Sequence, residues 1–525
     1  MTSLAPRVVA IPLDDRPVNL QALRQLAAVA GVRIDLPPRA LLGRFSVPGD
    51  PELLLDWLEA RASGSDSLLL SVDMLCYGGL VASRDRTVSL PRAIHRLERL
   101  EQILTKHRVP TFATSVVLRQ SITVTDESSL CTWRRVFDLM SLPDEQRQRA
   151  VDLLSASGDP LAQAIALHLD CRRRNHQVNL KTLAFVATNR IDHLLFLKED
   201  CAREGPHRIE CEALVQEARR QKIADRVALH PGTDEGGLML LAKALLAIDQ
   251  STARLRLEFC PDELKNLIPL YEDRPLRETL TAQIDSVGLT RSSPSDLGLL
   301  VVGRSACGDL FASADQGPPP YGPEGDRSLA ALVEARALSM RKDARPESAS
   351  VRFLGLADVG YANGADPELA PRILRTGLAP RFAAFAAWNT AANTTGSALA
   401  HLVALLSPGR HSGRAAAQIR YLLTRWIDDY VYQTCVRPRL LERAAQSGLN
   451  PHNLGSKTAE LLGLAVAGIN EMSSRVLAAF VGPALPTPEG PHILVRPPKV
   501  RLEFPWGRLF EIEIELEDLD VVPAH

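Results

Sequence analysis

The residues of this chain best suited to chemistry are carboxylates that stand where an apolar run gives way to a helical pattern. Val8 to Leu13 is apolar and ends in Asp14-Asp15-Arg16. His230-Pro-Gly-Thr-Asp-Glu-Gly-Gly237 sets Asp234 and Glu235 side by side among glycines. Asp358 closes a third apolar run, and Asp73 lies in or at the end of a fourth, Ser67 to Leu75. Trp388 and Asn389 follow a fifth, with Asn393 four residues beyond Asn389. A carboxylate beside a guanidinium stays ionised and can orient a hydroxyl or hold a metal. Two adjacent carboxylates supply an acid and a base, as glycoside cleavage or metal-assisted hydrolysis requires. Flanking glycines let a ligand approach the backbone closely. Trp388 offers a flat stacking face. Asn389 and Asn393 would share one face of a helical turn, and amides in an apolar segment need partners that a polyol supplies.

Each of these residues also has a structural reading. Asp15 followed by Arg16-Pro17 has the form of a helix start, with Asp as N-cap and Pro in the first turn. The recurrence of Asp273-Arg-Pro275 favours that reading. Thr233 or Asp234 could likewise cap a helix, and Asn389 and Asn393 could hold a helix start. A buried Asp73 must be paired, with Arg16, Arg84 and Arg119 as available partners. Cys201, His207 and Cys211 are loosely spaced like ligands, but no fourth ligand is near, so no zinc site is expected. The phosphate-binding Gly-x-x-x-x-Gly-Lys-Ser/Thr, the dinucleotide Gly-x-Gly-x-x-Gly and the nucleophile elbow Gly-x-Ser-x-Gly do not occur.

The elements that position these residues alternate. Buried strands and amphipathic helices follow one another to about residue 390, which predicts an α/β fold with a mostly parallel sheet. Polar residues at so many strand ends favour a (β/α)8-like barrel; the alternative is two doubly wound α/β domains. In either, the site lies at the C-terminal ends of the strands. Residues 1–405 read as the catalytic-type α/β domain and 406–485 as a helical segment. Residues 486–525 read as a C-terminal β-hairpin about Pro505-Trp-Gly507, with Glu511, Glu513, Glu515 and Glu517 on its solvent face. Asp315 to Gly325 reads as a surface loop.

Bulk composition narrows the function. A chain of 525 residues has room for two or three domains. Its 61 Lys and Arg balance 62 Asp and Glu, so nothing calls for a nucleic-acid or anionic-membrane partner. Eight cysteines without a Cys-x-x-Cys fit a reducing cytoplasm. No secretory signal is expected at the N-terminus, and the longest apolar segment, Phe382 to Leu406, is too polar to span a membrane.

Taken together, Ile11-Pro-Leu-Asp-Asp-Arg-Pro-Val-Asn19, the stretch Ser71 to Arg84, Pro231-Gly-Thr-Asp-Glu235, the stretch Asp358 to Asp366 and Trp388-Asn-Thr-Ala-Ala-Asn393 resemble a bacterial family catalogued as a domain of unknown function. The resemblance covers most of the chain, from the first strand to about residue 400. It implies relatives and no reaction. Members usually carry Asp-Asp where this chain has Glu199-Asp200, and an Asn-Pro-like element where it has Gly303-Arg304-Ser305.

The residues themselves lead to an expected function: a hydrolase of small carbohydrate or glycoconjugate substrates, a glycosidase. Asp234 or Glu235 would be the general acid, and Asp14 or Asp358 the base or nucleophile. Asp15, Arg16, Asp73, Trp388, Asn389 and Asn393 would bind substrate. No cofactor is required by this reading, and a homo-oligomer is left open. One alternative is a Mg²⁺- or Mn²⁺-dependent hydrolase or lyase, with Asp14, Asp73, Asp200, Asp234, Glu235 and Asp358 as oxygen ligands. The other is a non-enzymatic ligand-binding or assembly protein.

Overall fold

A computed structural model describes residues 5–292, 294–304, 308–309, 323–341, 351–409 and 412–524. Ser305 and positions 315–322 of the expected surface loop lie outside the described residues; Pro323–Arg341 is helical.

Apart from one short parallel pair, Gly308–Asp309 with Tyr361–Ala362, the described parallel strands form two open sheets. The first contains β1 (Arg7–Ile11), β2 (Arg33–Asp35), β3 (Ser67–Ser71), β4 (Thr111–Val117), β5 (His193–Lys198) and β6 (Val227–Pro231), in the order β2-β1-β3-β4-β5-β6. The second contains β7 (Arg254–Cys260), β8 (Thr290–Arg291), β9 (Leu297–Val302), β10 (Phe353–Asp358) and β11 (Ala384–Ala386), in the order β8-β7-β9-β10-β11. Both are the doubly wound order, in which the chain steps once to one side of its first strand and then always to the other. A barrel needs every crossover to step the same way. The reversal after β2, and again after β8, leaves two free edges in each sheet. The architecture is therefore the two-sheet alternative, not the barrel that the ring of polar strand ends suggested.

The strands read as unbroken apolar runs because both faces of each sheet are covered. Helix α1 (Gln21–Ala30) buries Leu23, Leu26 and Ala27 and stops at Gly31, whose left-handed backbone closes the last turn. Helices α2 (Gly236–Ile248) and α3 (Ala391–Leu406) are apolar almost all round. They can be so because they lie between the sheets: one core joins Val8, Leu69 and Leu195 of the first sheet to Leu255, Leu299 and Phe353 of the second through these helices. The outer face of the first sheet carries the helices Pro51–Ala62, Leu90–Lys106 and Pro160–Ala187.

The outer face of the second sheet is covered by the C-terminal segment. Leu300, Leu354 and Leu356 share a core with Trp426, Val476 and Phe480, and Trp426 stacks on Phe385 with centroids 3.9 Å apart. The segment beyond residue 406 thus completes a core begun by the second sheet. Lys499–Glu503 and Glu513–Glu517 pair as the expected antiparallel hairpin. The residues between them hold more than a tight turn: Phe504 to Gly507 closes a β-turn, with Gly507 N donating to Phe504 O at 3.1 Å, and the rest folds back over the body. Glu515 is exposed, whereas Glu511 is only 4% exposed, so the solvent face expected for these glutamates does not extend to it. Among the described residues, no helix is long and apolar enough to cross a membrane.

Candidate functional site

Doubly wound sheets bind ligands where strand order reverses, outside the C-terminal ends of the strands on either side. In the first sheet that place lies between β1 and β3. The loop after β1 carries Asp14 and Asp15; the chain after β3 brings Gly78 and Gly79 opposite. Together with Phe45 and Trp506 they enclose a small pocket of about 10 Å³, room for about one water.

Asp14, Arg16 and Asp234 form the centre. The Arg16 Nε donates to Asp14 Oδ2 at 2.9 Å, and its two terminal nitrogens donate to the Asp234 oxygens at 3.1 and 2.5 Å. One nitrogen, Nη2, also lies 2.8 Å from Asp14 Oδ2, so it serves both carboxylates. Asn19 Nδ2 donates to Asp14 Oδ1 at 2.7 Å. Asp234 reaches this place because the chain turns back across the sheet after β6, with Gly232 N donating to Lys198 O at the end of β5. The second sheet contributes from the end of β11. Asn389 Nδ2 donates to Asp234 Oδ2 at 3.0 Å, and Asn393 Oδ1 accepts from the backbone N–H groups of Thr233 and Asp234. The C-terminal edges of both sheets therefore meet at one carboxylate. Burial works against the Arg16 charge, but Asp14 and Asp234 override it and hold its pKa well above the usual value. Burial pushes the Asp234 carboxyl up despite Arg16.

Asp15 does not cap a helix, since α1 begins only at Gln21 with Leu20 before it. Its Oδ1 accepts from the Trp506 indole at 2.5 Å and its Oδ2 from Arg39 at 3.4 Å. Burial raises its pKa.

Glu235 lies beneath the turn, fully buried. Its Oε2 accepts from Thr233 N at 2.9 Å. Its Oε1 has no hydrogen-bond partner among the described residues and lies 3.9 Å from His230 Nδ1. Burial drives Glu235 up to about 8 and His230 down to about 4, so both are neutral at pH 7. The glycines seen in the sequence make room for this side chain. A Cβ on Gly232, whose φ is +105°, would lie 2.0 Å from Glu235 Oε1, and one on Gly396 would lie 2.5 Å from its Cγ. Gly232→Ala should therefore destabilise the protein by about 1–3 kcal/mol through overpacking alone, with backbone strain added to it. Urea denaturation checks this; an unchanged midpoint would show that the turn can reshape freely.

Other candidates stand apart. Asp73 is not a strand end: it sits in the first turn of a short helix, Val72–Tyr77, and accepts from Val116 N at 2.9 Å rather than from an arginine. Burial lifts its pKa to about 7. Asp358 does end β10, but it accepts from the N–H groups of Gly360 and Asp366 in its own loop, where Arg304 pairs with Asp366. Burial, then Asp366, raises Asp358 to about 7. Trp388 is 6% exposed and packs edge-on against Phe510. Cys201, His207 and Asp273 bring ligand atoms within 4.8 Å of one another. Lys198 pairs with that Asp273, Gln120 Nε2 lies 2.8 Å from His207 Nδ1, and Cys201 Sγ donates to Tyr271 O at 3.6 Å, so all three are already engaged.

The aromatic residues at the pocket are Phe45 and Trp506, and no strand-end pattern singles out Trp506. Its ring lies 5.2 Å from the Arg16 guanidinium and 4.5 Å from that of Arg508. Its only signal in the sequence is a large aromatic between Pro505 and Gly507, where a hairpin would need no such side chain. Tyr432 and Gln433, on the π-helix Trp426–Val436, hold the following residues in place by donating to the carbonyls of Leu509 and Phe510. Beside the centre, Arg84 pairs with Glu199 and Arg119 with Asp200.

A family model described as a protein of unknown function (DUF4127) matches residues 8–515. No curated protein matches the chain. Among solved structures, a beta-glucosidase from Exiguobacterium marinum aligns over 70% of this chain and 84% of its own, at 10% identity and a TM-score of 0.17. A likeness that slight carries no argument about either fold or activity.

Proposed function

The chain belongs to this family of unknown function, and from that premise we propose that it is a hydrolase of small carbohydrate or glycoconjugate substrates, specifically a glycosidase. One observation carries the reading: Asp14 and Asp234 meet on a single nitrogen of Arg16 where the C-terminal edges of the two sheets converge. With one oxygen of each within 2.8 Å of that nitrogen, the pair is closer than the roughly 6.5–9.5 Å of an inverting pair and suits a retaining one. Asp234, raised by burial, serves as the acid and protonates the leaving oxygen. Asp14, oriented by Arg16 and Asn19, attacks the anomeric carbon as that bond breaks. In the second step Asp234 takes a proton from water, the water oxygen attacks the anomeric carbon, and Asp14 leaves. Asn389 and Asp15 orient hydroxyls.

The metal-dependent alternative draws less support from this arrangement, because Arg16 already occupies the space between the two carboxylates and pairs with both. The test is turnover on a broad panel of aryl glycosides, for the wild type and for Asp14→Asn and Asp234→Asn. Each variant should lose about a hundredfold or more in kcat while remaining folded. A wild type inactive on the whole panel, or two variants as active as the parent, would sink the reading.

A further inference from the structure

A second, larger cleft adjoins the carboxylate pocket. It has a volume of about 410 Å³, within the roughly 300–1,000 Å³ typical of small-ligand sites. Arg44, Phe45 and Trp506 line both spaces and so form the wall between them. From the geometry of that wall and the chemistry of the cleft, we propose that the cleft is a subsite for a pyranose ring. It would hold the part of a sugar substrate that lies outside the carboxylates. The proposal rests on the glycosidase reading.

The wall is aromatic, with Phe45 half-buried and Trp506 buried beside it at 7% exposure. Phe45 sits at the tip of a small hairpin, Gly43–Arg44 with Val47–Pro48, at φ +50°. A non-glycine residue in the left-handed region is uncommon, and it persists where the surroundings impose it. Here the surroundings are cationic and aromatic. The Arg508 guanidinium lies 4.9 Å from the Phe45 ring and 4.5 Å from that of Trp506, and the two rings are 5.3 Å apart. Arg508 is itself fixed by Glu511 at 2.7 Å. Arg44 Nε donates to Pro505 O at 2.7 Å, tying the hairpin to the turn that carries Trp506.

The rest of the lining selects the ligand. Ser46, Thr125, Asn453 and Thr458 are hydroxyl and amide side chains, and the cleft is lined by no carboxylate among the described residues. The Asn453 amide is exposed and makes no hydrogen bond to another described residue, while Thr458 Oγ1 donates only to Gly455 O. A fatty chain would leave these groups unpaired, and an anion would find Arg44 as the one cation in the described lining, the Arg508 charge being met by Glu511. A neutral ring with an apolar face and a rim of hydroxyls matches both the aromatic wall and the polar rim.

The test uses the full chain labelled with 5-fluorotryptophan, the Trp506 resonance being assigned by its loss in Trp506→Phe. Probes are glucose, galactose, mannose and N-acetylglucosamine, with cyclohexanol as the apolar ring of similar size. At least one pyranose should shift the Trp506 resonance saturably, and Asn453→Ala should weaken that binding by about tenfold. Three results would overturn the subsite. One is no shift with any pyranose up to about 100 mM, a concentration that would reveal even very weak sites. Another is equal affinity in wild type and the Asn453→Ala, Thr458→Ala double variant. The third is cyclohexanol binding as tightly as the sugars. Because the assay reads no turnover, sugar binding without hydrolysis would count against the glycosidase reading alone. Hydrolysis without a response at Trp506 would count against the subsite alone.

Discussion

Replacing Arg16 with methionine is expected to destabilise the protein by about 3–5 kcal/mol, the cost of leaving a buried charge without its partner. Arg16 is 5% exposed, and Asp14 and Asp234, the two carboxyl groups it pairs with, are each 4% exposed. Methionine keeps most of the volume and removes the charge, so packing loss contributes little and the unpaired carboxylates dominate. Asp14 would retain Asn19, and Asp234 would retain Asn389; neither neutral amide cancels a negative charge. A triple variant, Arg16→Met with Asp14→Asn and Asp234→Asn, should recover much of the loss, because replacing a whole buried ion network is far less costly than breaking it. Equilibrium urea denaturation of the four proteins (the parent, Arg16→Met, the double Asn variant and the triple variant) separates the two effects. A loss below about 1 kcal/mol, the scale of a surface ion pair, would mean that solvent reaches the centre and that the triad is not a buried hub.

This triad also marks how far the sequence can be read. The strand-end rule locates Asp14, Arg16, Asp234, Asn389 and Asn393, because a polar residue directly after an apolar run has few places to go but the C-terminal edge of a sheet. The rule cannot say which ends meet. Arg16 and Asp234 are 218 positions apart and Trp506 and Asp15 are 491 apart, and no local pattern records such a pairing. Closure is illegible for a related reason. Barrel and doubly wound sheets use the same alternation of strand and helix, and they differ only in the direction of each crossover. Asp73 is misplaced by one element, since the apolar run through Leu75 hides the change from strand β3 to the helix Val72–Tyr77. The C-terminal residues look like an appendage because a hairpin is self-contained in sequence. Their role at the pocket depends on Trp506 and Glu511, whose burial comes from the rest of the chain.

Glu235 gives the sharpest pH dependence. Its carboxyl is raised by burial from 4.5 to about 8, so the folded state holds a proton that the unfolded chain releases. Below about pH 4.5 both states are protonated and the group contributes its full stability. As pH rises from there, the unfolded state ionises while the folded state does not, and the contribution falls until about pH 8, above which it stays lost. At roughly 1.4 kcal/mol for each pH unit over which the two states differ in charge, the fall between pH 5 and pH 8 is on the order of 3–4 kcal/mol. The raw pH profile of the protein will not display this alone. Buried His193 and His230 are pushed down to about 3 and 4, and they act in the opposite direction, losing stability as pH falls below about 6.5. Glu235→Gln isolates the carboxyl's contribution, because glutamine has the shape of the protonated acid and cannot ionise. The stability of the parent minus that of Glu235→Gln, measured by urea denaturation at pH 5 and pH 8, should therefore drop by about 3 kcal/mol or more. A difference flat across that range would show that Glu235 is ionised and solvated in the folded protein. It would then face the site, and the role of general acid assigned to Asp234 would have to be reopened.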